Sequence, residues 1–103
     1  MIIYNKVLPF GHYKLINIFG LIFTKSKNIS EIDINHEKIH TAQMKELLYI
    51  FFYIWYIIEF IIRFLFTFSW KAAYLNMLFE QEAYDNQKDL NYLTKRKHYA
   101  WLT

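Results

Sequence analysis

The feature that most constrains the fold is an apolar and aromatic stretch that runs from Leu47 to Trp70. Its only other residues are Glu59, Arg63, Thr67 and Ser69. As one straight helix, the stretch would be about 36 Å long at 1.5 Å per residue, enough to cross a hydrocarbon core of roughly 30 Å. Its uninterrupted part, residues 47–58, is shorter, as is typical of a core helix or an interfacial helix. The stretch therefore predicts a buried, interfacial or membrane-inserted helix.

Charge and aromatic content favour a membrane location. Glu59 and Arg63 are four residues apart, so on a helix they can pair, either on a partly buried face or as a polar pair inside a membrane. The aromatic density resembles the aromatic belt of a membrane interface. Residues 1–30 contain lysines and no acid, and residues 95–97 are all basic, a layout that suits anionic lipid headgroups. We therefore expect membrane association with lipid as a partner, and a cytoplasmic location is the alternative.

Length and composition limit the chemistry that the chain can perform. Its 103 residues are enough for one small domain, so a single domain over residues 1–103 is expected. The absence of cysteine leaves His, Asp and Glu as the strong metal ligands. The sequence has neither a dense basic stripe nor a recognised nucleic-acid-binding motif, so nucleic acid is not an expected partner. The first residues also lack the pattern of a cleavable signal peptide.

Local signals predict a mainly α fold, in which a small helical domain carries a short N-terminal β element. Residues 13–25 are rich in β-branched and aromatic residues around a glycine, which indicates one bent strand or a short hairpin. Pro9 and Gly11 predict a turn before this segment. Ser30 followed by Asp33 matches a helix-capping signature. A helix should therefore begin at residue 30 or 31 and continue to residue 46 or beyond.

Further helix is expected after the apolar stretch. Residues 71–75 are interpreted as a connector, and Asn76 is a suitable cap for a helix over residues 77–88. Asp89 is expected to cap a last short helical piece that ends near Trp101.

The clearest chemical signal is the sequence NHEKIH at residues 35–40. On a helix, His36 and His40 project from the same face and can converge on one metal ion, while Glu37 can reach a water molecule bound there. A zinc ion with three protein ligands keeps a position for water, whose proton a glutamate can accept as general base. The pattern therefore predicts a Zn²⁺ site that needs a third ligand, and the acidic segment FEQEAYD at residues 79–85 is its best source.

NHEKIH followed some forty residues later by FEQEAYD resembles the gluzincin layout of zinc metallopeptidases, in which H-E-x-x-H is joined by a distant glutamate ligand. It is most similar to membrane-bound peptidases with a distal E-x-x-A-D motif, and it also resembles a set of small bacterial proteins with H-E-x-x-H and E-x-E-A-Y. The resemblance covers about residues 28–93. It implies a minimal zincin-like fold in which His36, His40 and Glu80 are ligands and Glu37 is the general base.

Three residues of the distal segment leave alternatives open. Tyr84 stands where the resembled peptidases have an aspartate that orients a ligand histidine, and Asp85 is one position away and could replace it. Glu82 is the alternative ligand, although on a helix it points about 200° away from Glu80. These three residues are therefore expected to be hydrogen-bond partners of the ligands or substitutes for them.

The expected activity is that of a membrane-associated zinc metallopeptidase-like protein acting on a peptide or protein substrate. The alternative is a small non-catalytic membrane protein with a structural zinc ion or no metal. A straight helix over residues 47–70 would separate the histidines from Glu80 by the thickness of a bilayer. A shared metal site therefore predicts that the chain doubles back within or near residues 46–70.

Overall fold

The computed structural model describes residues 2–4, 15–24 and 29–102, and within them the chain is mainly helical with a small N-terminal sheet. The predicted fold class is thereby confirmed, whereas the turn expected at Pro9 and Gly11 lies outside the described residues. The strands are β1 (Ile2–Tyr4), β2 (Leu15–Ile18) and β3 (Leu21–Thr24). The helices are α1 (Glu31–Glu46), α2 (Ile50–Thr67), α3 (Trp70–Asn76), α4 (Leu78–Asn86) and α5 (Tyr92–Lys95), followed by a 3-10 turn at Ala100–Leu102.

The N-terminal segment forms a hairpin rather than one bent strand. Strands β2 and β3 pair antiparallel, with Ile18 opposite Leu21, and Phe19 and Gly20 turn the chain with φ values of 52° and 88°. Two consecutive residues with positive φ are typical of the tight turns that match the twist of a hairpin. Strand β1, which sequence reasoning missed, pairs in parallel with β3, so the sheet order is β1-β3-β2.

Helix α1 begins where the capping signature predicts. The Ser30 hydroxyl accepts a hydrogen bond from the Asp33 amide at 3.0 Å, which satisfies one of the free N–H groups of the first turn. After Glu46 the chain turns through Leu48 and Tyr49, both of which have positive φ. This turn interrupts the apolar stretch, so α2 starts in a new direction and the predicted doubling back is observed.

The chain turns again after α2 and returns as α3, so the connector expected at residues 71–75 is wrong. Phe68 adopts a left-handed conformation that ends α2. The Ser69 hydroxyl then accepts a hydrogen bond from the Ala72 amide at 3.2 Å and caps α3. Helices α2 and α3 together form a helical hairpin, here called the α2–α3 hairpin (Ile50–Asn76).

The predicted cap of α4 is also wrong. The Asn76 side chain donates a hydrogen bond back to the Ala72 carbonyl at the end of α3, and Met77 occupies the cap position of α4 without a side-chain hydrogen bond. A carboxylate from another helix replaces the missing cap, because Glu59 Oε2 accepts a hydrogen bond from the Leu78 amide at 3.0 Å. A negative charge at this end also complements the helix dipole.

The expected helical piece after Asp89 exists but is capped differently. Asn91 occupies the cap position of α5, and Asp89 Oδ1 accepts a hydrogen bond from the Asn91 amide in the preceding turn. Asp89 therefore shapes the turn and does not cap the helix. Trp101 lies in the terminal 3-10 turn, close to the predicted end.

The hydrophobic core lies where α1, α2, α4 and the C-terminal segment meet. Its buried side chains are Met44, Phe52, Met77, Phe79 and Trp101. Phe79 is central, since its ring contacts Phe52 and Trp101 with centroid separations of 4.6 Å in both cases. The core thereby fixes α4 against α1 next to the predicted metal ligands.

Candidate metal centre

The two histidines of NHEKIH and one glutamate of FEQEAYD meet in the interior of the protein. His36 and His40 project from α1, and Glu80 projects from the first turn of α4. The Nε2 atoms of the two histidines are 3.1 Å apart, and they lie 3.2 and 3.1 Å from Glu80 Oε1. All three side chains are buried. Glu80 lies 44 and 40 positions after the two histidines in the chain, yet all three side chains present a donor atom to one point.

The spacing of these donors is suitable for a small divalent cation. Zinc–ligand bonds of about 2.0–2.1 Å at a tetrahedral angle place neighbouring ligand atoms about 3.3 Å apart. The observed triangle has sides of 3.1, 3.1 and 3.2 Å. Two imidazoles and one carboxylate are also a donor set that zinc accepts in catalytic sites. Both the distances and the donor types therefore fit zinc.

Hydrogen bonds to the opposite ring nitrogens hold both imidazoles in place. His36 Nδ1 lies 2.7 Å from Gln87 Oε1, and His40 Nδ1 lies 2.8 Å from Gln43 Oε1. The orientation of the Gln43 amide is fixed, because its nitrogen donates to the Phe79 carbonyl and to Glu82 Oε1. The Gln43 oxygen therefore accepts the Nδ1 proton of His40, and the contacts of both Nδ1 atoms direct both Nε2 atoms toward Glu80.

Three lone pairs so close together in a buried site repel one another unless a cation lies between them. Without metal, a proton has this role. Burial lowers the pKa of the His40 imidazole, but the Glu80 carboxylate outweighs this effect and raises the pKa to about 9. Burial likewise raises the pKa of Glu80, but His40 and His36 outweigh it and hold the pKa far below its usual value. The cluster is therefore built to hold one positive charge.

The second oxygen of Glu80 is held separately. The Tyr56 hydroxyl, from the inner side of α2, donates a hydrogen bond to Glu80 Oε2 at 2.9 Å. Because Oε2 is engaged, Oε1 is left to face the two histidines. Helix α2 thus contributes to the site although it carries none of the three donors.

Glu37 lies beside the donor triangle at an open cavity. A cavity of about 380 Å³ is lined by Glu37, His40 and Glu80 together with apolar and aromatic side chains of β2, α1 and α2. Burial raises the pKa of the Glu37 carboxyl, and the two neighbouring histidines oppose that shift only in part. A carboxylate with a raised pKa next to a metal site has the properties of a general base.

Glu82, Tyr84 and Asp85, the alternative ligands or ligand partners of the distal segment, have different surroundings. Glu82 is buried away from the donor triangle, where its carboxylate contacts Gln43 and Arg96. Tyr84 packs its ring edge-on against His36 at a centroid distance of 4.5 Å. Asp85 is exposed. Glu82 is thus linked to His40 through Gln43, Tyr84 contacts His36 through its ring, and neither Tyr84 nor Asp85 orients a histidine by a hydrogen bond.

Sequence reasoning missed the residues that orient the ligands. Gln43 follows His40 by three positions, so its place on the same face of α1 could have been recognised from helix periodicity. Gln87 and Tyr56 had no such signal, because they reach the site from the end of α4 and from α2. Arg96 was read only as part of a basic end, yet it is buried and pairs with both Glu82 and Glu46.

Among the residues that the structure describes, the group of potential ligands contains three members, His36, His40 and Glu80. Comparison with known proteins finds no matching family model, no matching curated protein and no matching solved structure. The resemblance to gluzincins therefore rests on the quoted residues alone.

Proposed function

We propose that this protein is a membrane-associated, zinc-dependent hydrolase that cleaves peptide bonds. The observation that carries this proposal is that three donor atoms of zinc-binding type converge next to a cavity lined by Glu37. His36, His40 and Glu80 would hold the ion, and the cavity leaves space for water and substrate. A site with three protein ligands and an accessible side is typical of catalytic zinc.

Zinc bound here would lower the pKa of a water molecule toward 7 and polarise a substrate carbonyl. Glu37 would accept a proton from the attacking water as general base while the water oxygen bonds to the carbonyl carbon, and would deliver that proton to the amine that leaves when the C–N bond breaks. Burial raises the pKa of the Glu37 carboxyl, so it holds a proton more readily than an exposed glutamate does, which suits the accepting step. Gln43 and Gln87 keep the imidazoles oriented throughout.

The cavity supports a peptide substrate with an apolar side chain. Its volume of about 380 Å³ lies within the range of small-molecule sites. Met44, Phe52 and Tyr53 line it, so it offers contact to an apolar group. Leu15 and Ile16 of the sheet-edge strand β2 form another wall, where an extended peptide could lie against the strand.

A second candidate is a non-catalytic protein in which the cluster is structural. The observation that favours it is the pairing of both histidines with Glu80, which a proton shared within the cluster can maintain. The two candidates differ in the fourth ligand of the metal ion. In a catalytic site this ligand is water, and in a structural site it is a fourth protein side chain.

Peptide hydrolysis by zinc-loaded protein tests the proposal. A library of internally quenched peptides in detergent should be cleaved by the wild type and by Glu31→Gln, a control at an exposed acid of the same helix. Glu37→Gln should retain zinc and lose cleavage by about 100-fold or more, because the general base is removed. Zinc binding without cleavage in the wild type would favour the structural candidate. Equal cleavage by wild type and Glu37→Gln would overturn the assigned role of Glu37.

A further inference from the structure

Helix α2 exposes most of its apolar side chains, whereas the core helix of a soluble protein buries them. It is long and apolar enough to cross a membrane by length and composition, with a mean hydropathy of 1.8 over 18 residues. A core helix of this composition would be mostly buried, but only Phe52 is buried in α2. Its apolar surface therefore lacks a covering layer among the residues that the structure describes.

The exposed apolar side chains occupy one half of the helix. At 100° per residue, ten of them fall within an arc of about 180°. This surface, the outer face of α2, runs around the axis from Ile57 through Ile61, Ile54 and Ile58 to Phe66. It contains no polar residue. The surface is thus wider than the stripe of about 100° that a helix normally buries against protein.

The polar residues of α2 lie on the opposite half. Glu59 and Arg63 form an ion pair with a separation of 2.7 Å between Oε2 and Nε, as their spacing predicted. Glu59 also accepts the hydrogen bond from the Leu78 amide at the start of α4. The polar side of the helix therefore serves the protein interior, and the apolar side faces outward.

The end of the hairpin around residues 60–70 packs mainly on itself, and Phe60 also packs against the core. Beyond Glu59, the ring contacts of α2 are made within the hairpin, where Phe60 and Phe64 stack on Trp70 with centroid distances of 5.6 and 4.3 Å. Thr67 lies eight residues beyond Glu59, which is about 12 Å along the helix axis. One leaflet is half of a hydrocarbon core of roughly 30 Å. The tip can therefore enter one leaflet and cannot reach the other side.

The charges of the hairpin select a lipid surface over a second copy of the chain. Lys71 is exposed at the start of α3 and complements anionic headgroups, whereas Arg63 is already paired with Glu59. Two copies that met through this end of the hairpin would bring their Lys71 ammonium groups close together. Protein interfaces also have a polar rim, whereas the outer face is apolar across its whole width.

We propose that the α2–α3 hairpin is a monotopic anchor that inserts into one leaflet of an anionic phospholipid bilayer, with its tip deepest. The tip residues Phe66, Phe68 and Trp70 are 83%, 79% and 68% exposed and enter the hydrocarbon. The long side chains of Arg63 and Lys71 reach back toward the headgroups, so their charged ends stay at the membrane surface. The cavity of the metal centre is then held next to the membrane surface, because Phe52, Tyr53 and Tyr56 of the same helix line it.

Tryptophan quenching by brominated lipids tests this anchor. Two full-length variants are compared, one retaining only Trp70 and the other retaining only Trp101, with phenylalanine at the other tryptophans. They are mixed with vesicles of phosphatidylcholine and phosphatidylglycerol in which the phosphatidylcholine is brominated on its acyl chains. Trp70 emission should fall by roughly two-fold or more, because an inserted indole contacts the bromines. Trp101, which is 3% exposed in the core, should be unaffected. Equal emission of Trp70 with and without bromine would overturn the proposal.

Cysteine labelling tests the depth without altering the core. Phe66→Cys introduces the one thiol of the chain at the hairpin tip. An impermeant maleimide should label it in detergent-free solution and should fail to label it in vesicles, whether added outside or enclosed inside. Labelling from inside would show a spanning helix, and undiminished labelling from outside would show no insertion. A dimer that forms without lipid and does not bind vesicles would assign the face to a second copy. Neither experiment depends on zinc or hydrolysis, so its outcome is independent of the proposed enzymatic function.

Discussion

The candidate metal centre and the α2–α3 hairpin combine polarity and burial in opposite ways. In the centre, polar and ionisable side chains are buried, and each of His36, His40 and Glu80 has hydrogen-bond partners. In the hairpin, large apolar side chains are exposed, and Glu59 and Arg63 lie on the inner side. Buried polar groups cost stability unless they are paired, and exposed apolar surface marks an interaction site. Both regions are therefore candidates for a function, the first in metal binding and the second in membrane binding.

Helix α2 connects the two regions. Its outer face carries the exposed apolar surface, while Tyr56 and Glu59 on the inner side hold the Glu80 carboxylate and the start of α4. Changes at the outer face and at the inner face of the same helix should therefore have different consequences.

Truncating one phenylalanine in each region should separate packing from exposed surface. Phe79→Ala should lower the free energy of unfolding by about 3–5 kcal/mol, because it leaves a cavity at a fully buried position of the core. Phe66→Ala should change it by less than about 0.5 kcal/mol, since Phe66 is 83% exposed. Urea denaturation in lipid-free buffer measures both. Equal losses would show that the tip is packed against protein.

The buried ion pairs between Arg96 and the carboxylates of Glu46 and Glu82 should be essential for stability. Arg96→Ala should cost about 3–5 kcal/mol, because two buried carboxylates lose their partner. Lys95→Ala removes an exposed pair with Asp89 and should leave the stability nearly unchanged, because solvent screens such a pair. Thermal denaturation of both variants checks this pair. A small effect of Arg96→Ala would mean that solvent reaches Glu46 and Glu82.

The pH dependence of stability should differ between metal-free and zinc-loaded protein. The pKa of His40 is raised from 6.5 to about 9, so the folded state binds its proton more tightly than the unfolded chain. The resulting stabilisation is fully present below about pH 6.5 and is lost as pH rises through about 9. Metal-free protein should therefore lose a few kcal/mol between these values, and saturating zinc should remove the decline because the ion replaces the proton. A stability of the metal-free protein that does not change between these pH values would show that His40 does not hold an extra proton in the folded state.

Removing the hydrogen bond from α2 to the centre should weaken zinc binding while preserving the fold. Tyr56→Phe leaves Glu80 Oε2 without its donor, so zinc affinity should fall by about 10–100-fold. Tyr53→Phe is the matched control, since Tyr53 lines the same cavity but accepts its hydrogen bond from the Phe19 amide. Its zinc affinity should change by a few-fold at most. Equal zinc affinities of the two variants would show that the hydrogen bond from Tyr56 to Glu80 does not contribute to zinc binding.

Sequence alone predicts those parts of the fold and of the site that depend on contacts between near neighbours in one helix. The convergence of His36 and His40 follows from their spacing of four, and Ser30 caps α1 through its own sequence neighbours. The position of Glu80 followed from the resemblance, and the choice of Glu80 over Glu82 agrees with helix phase. These features required no knowledge of how the helices pack.

The features that were missed depend on contacts between distant segments. Asn76 was a reasonable cap by residue type, but α3 uses its side chain and Glu59 from α2 caps α4 instead. Strand β1 is three residues long and is stabilised by pairing with β3, which its own sequence does not indicate. Gln87 reaches His36 across 51 positions. Tertiary packing determined each of these, and local propensity carries no information about it.

A competitive zinc titration of the purified protein measures whether the cluster of His36, His40 and Glu80 binds one zinc ion. We expect about one zinc ion per chain in the wild type, because His36, His40 and Glu80 form one site. His40→Ala and Glu80→Gln should abolish stoichiometric binding, since each removes a donor atom. Glu82→Gln should lose only about 10–100-fold, because Glu82 acts on His40 through Gln43. A wild type that binds no stoichiometric zinc, or donor variants that bind zinc as the wild type does, would show that these three residues do not form a zinc site.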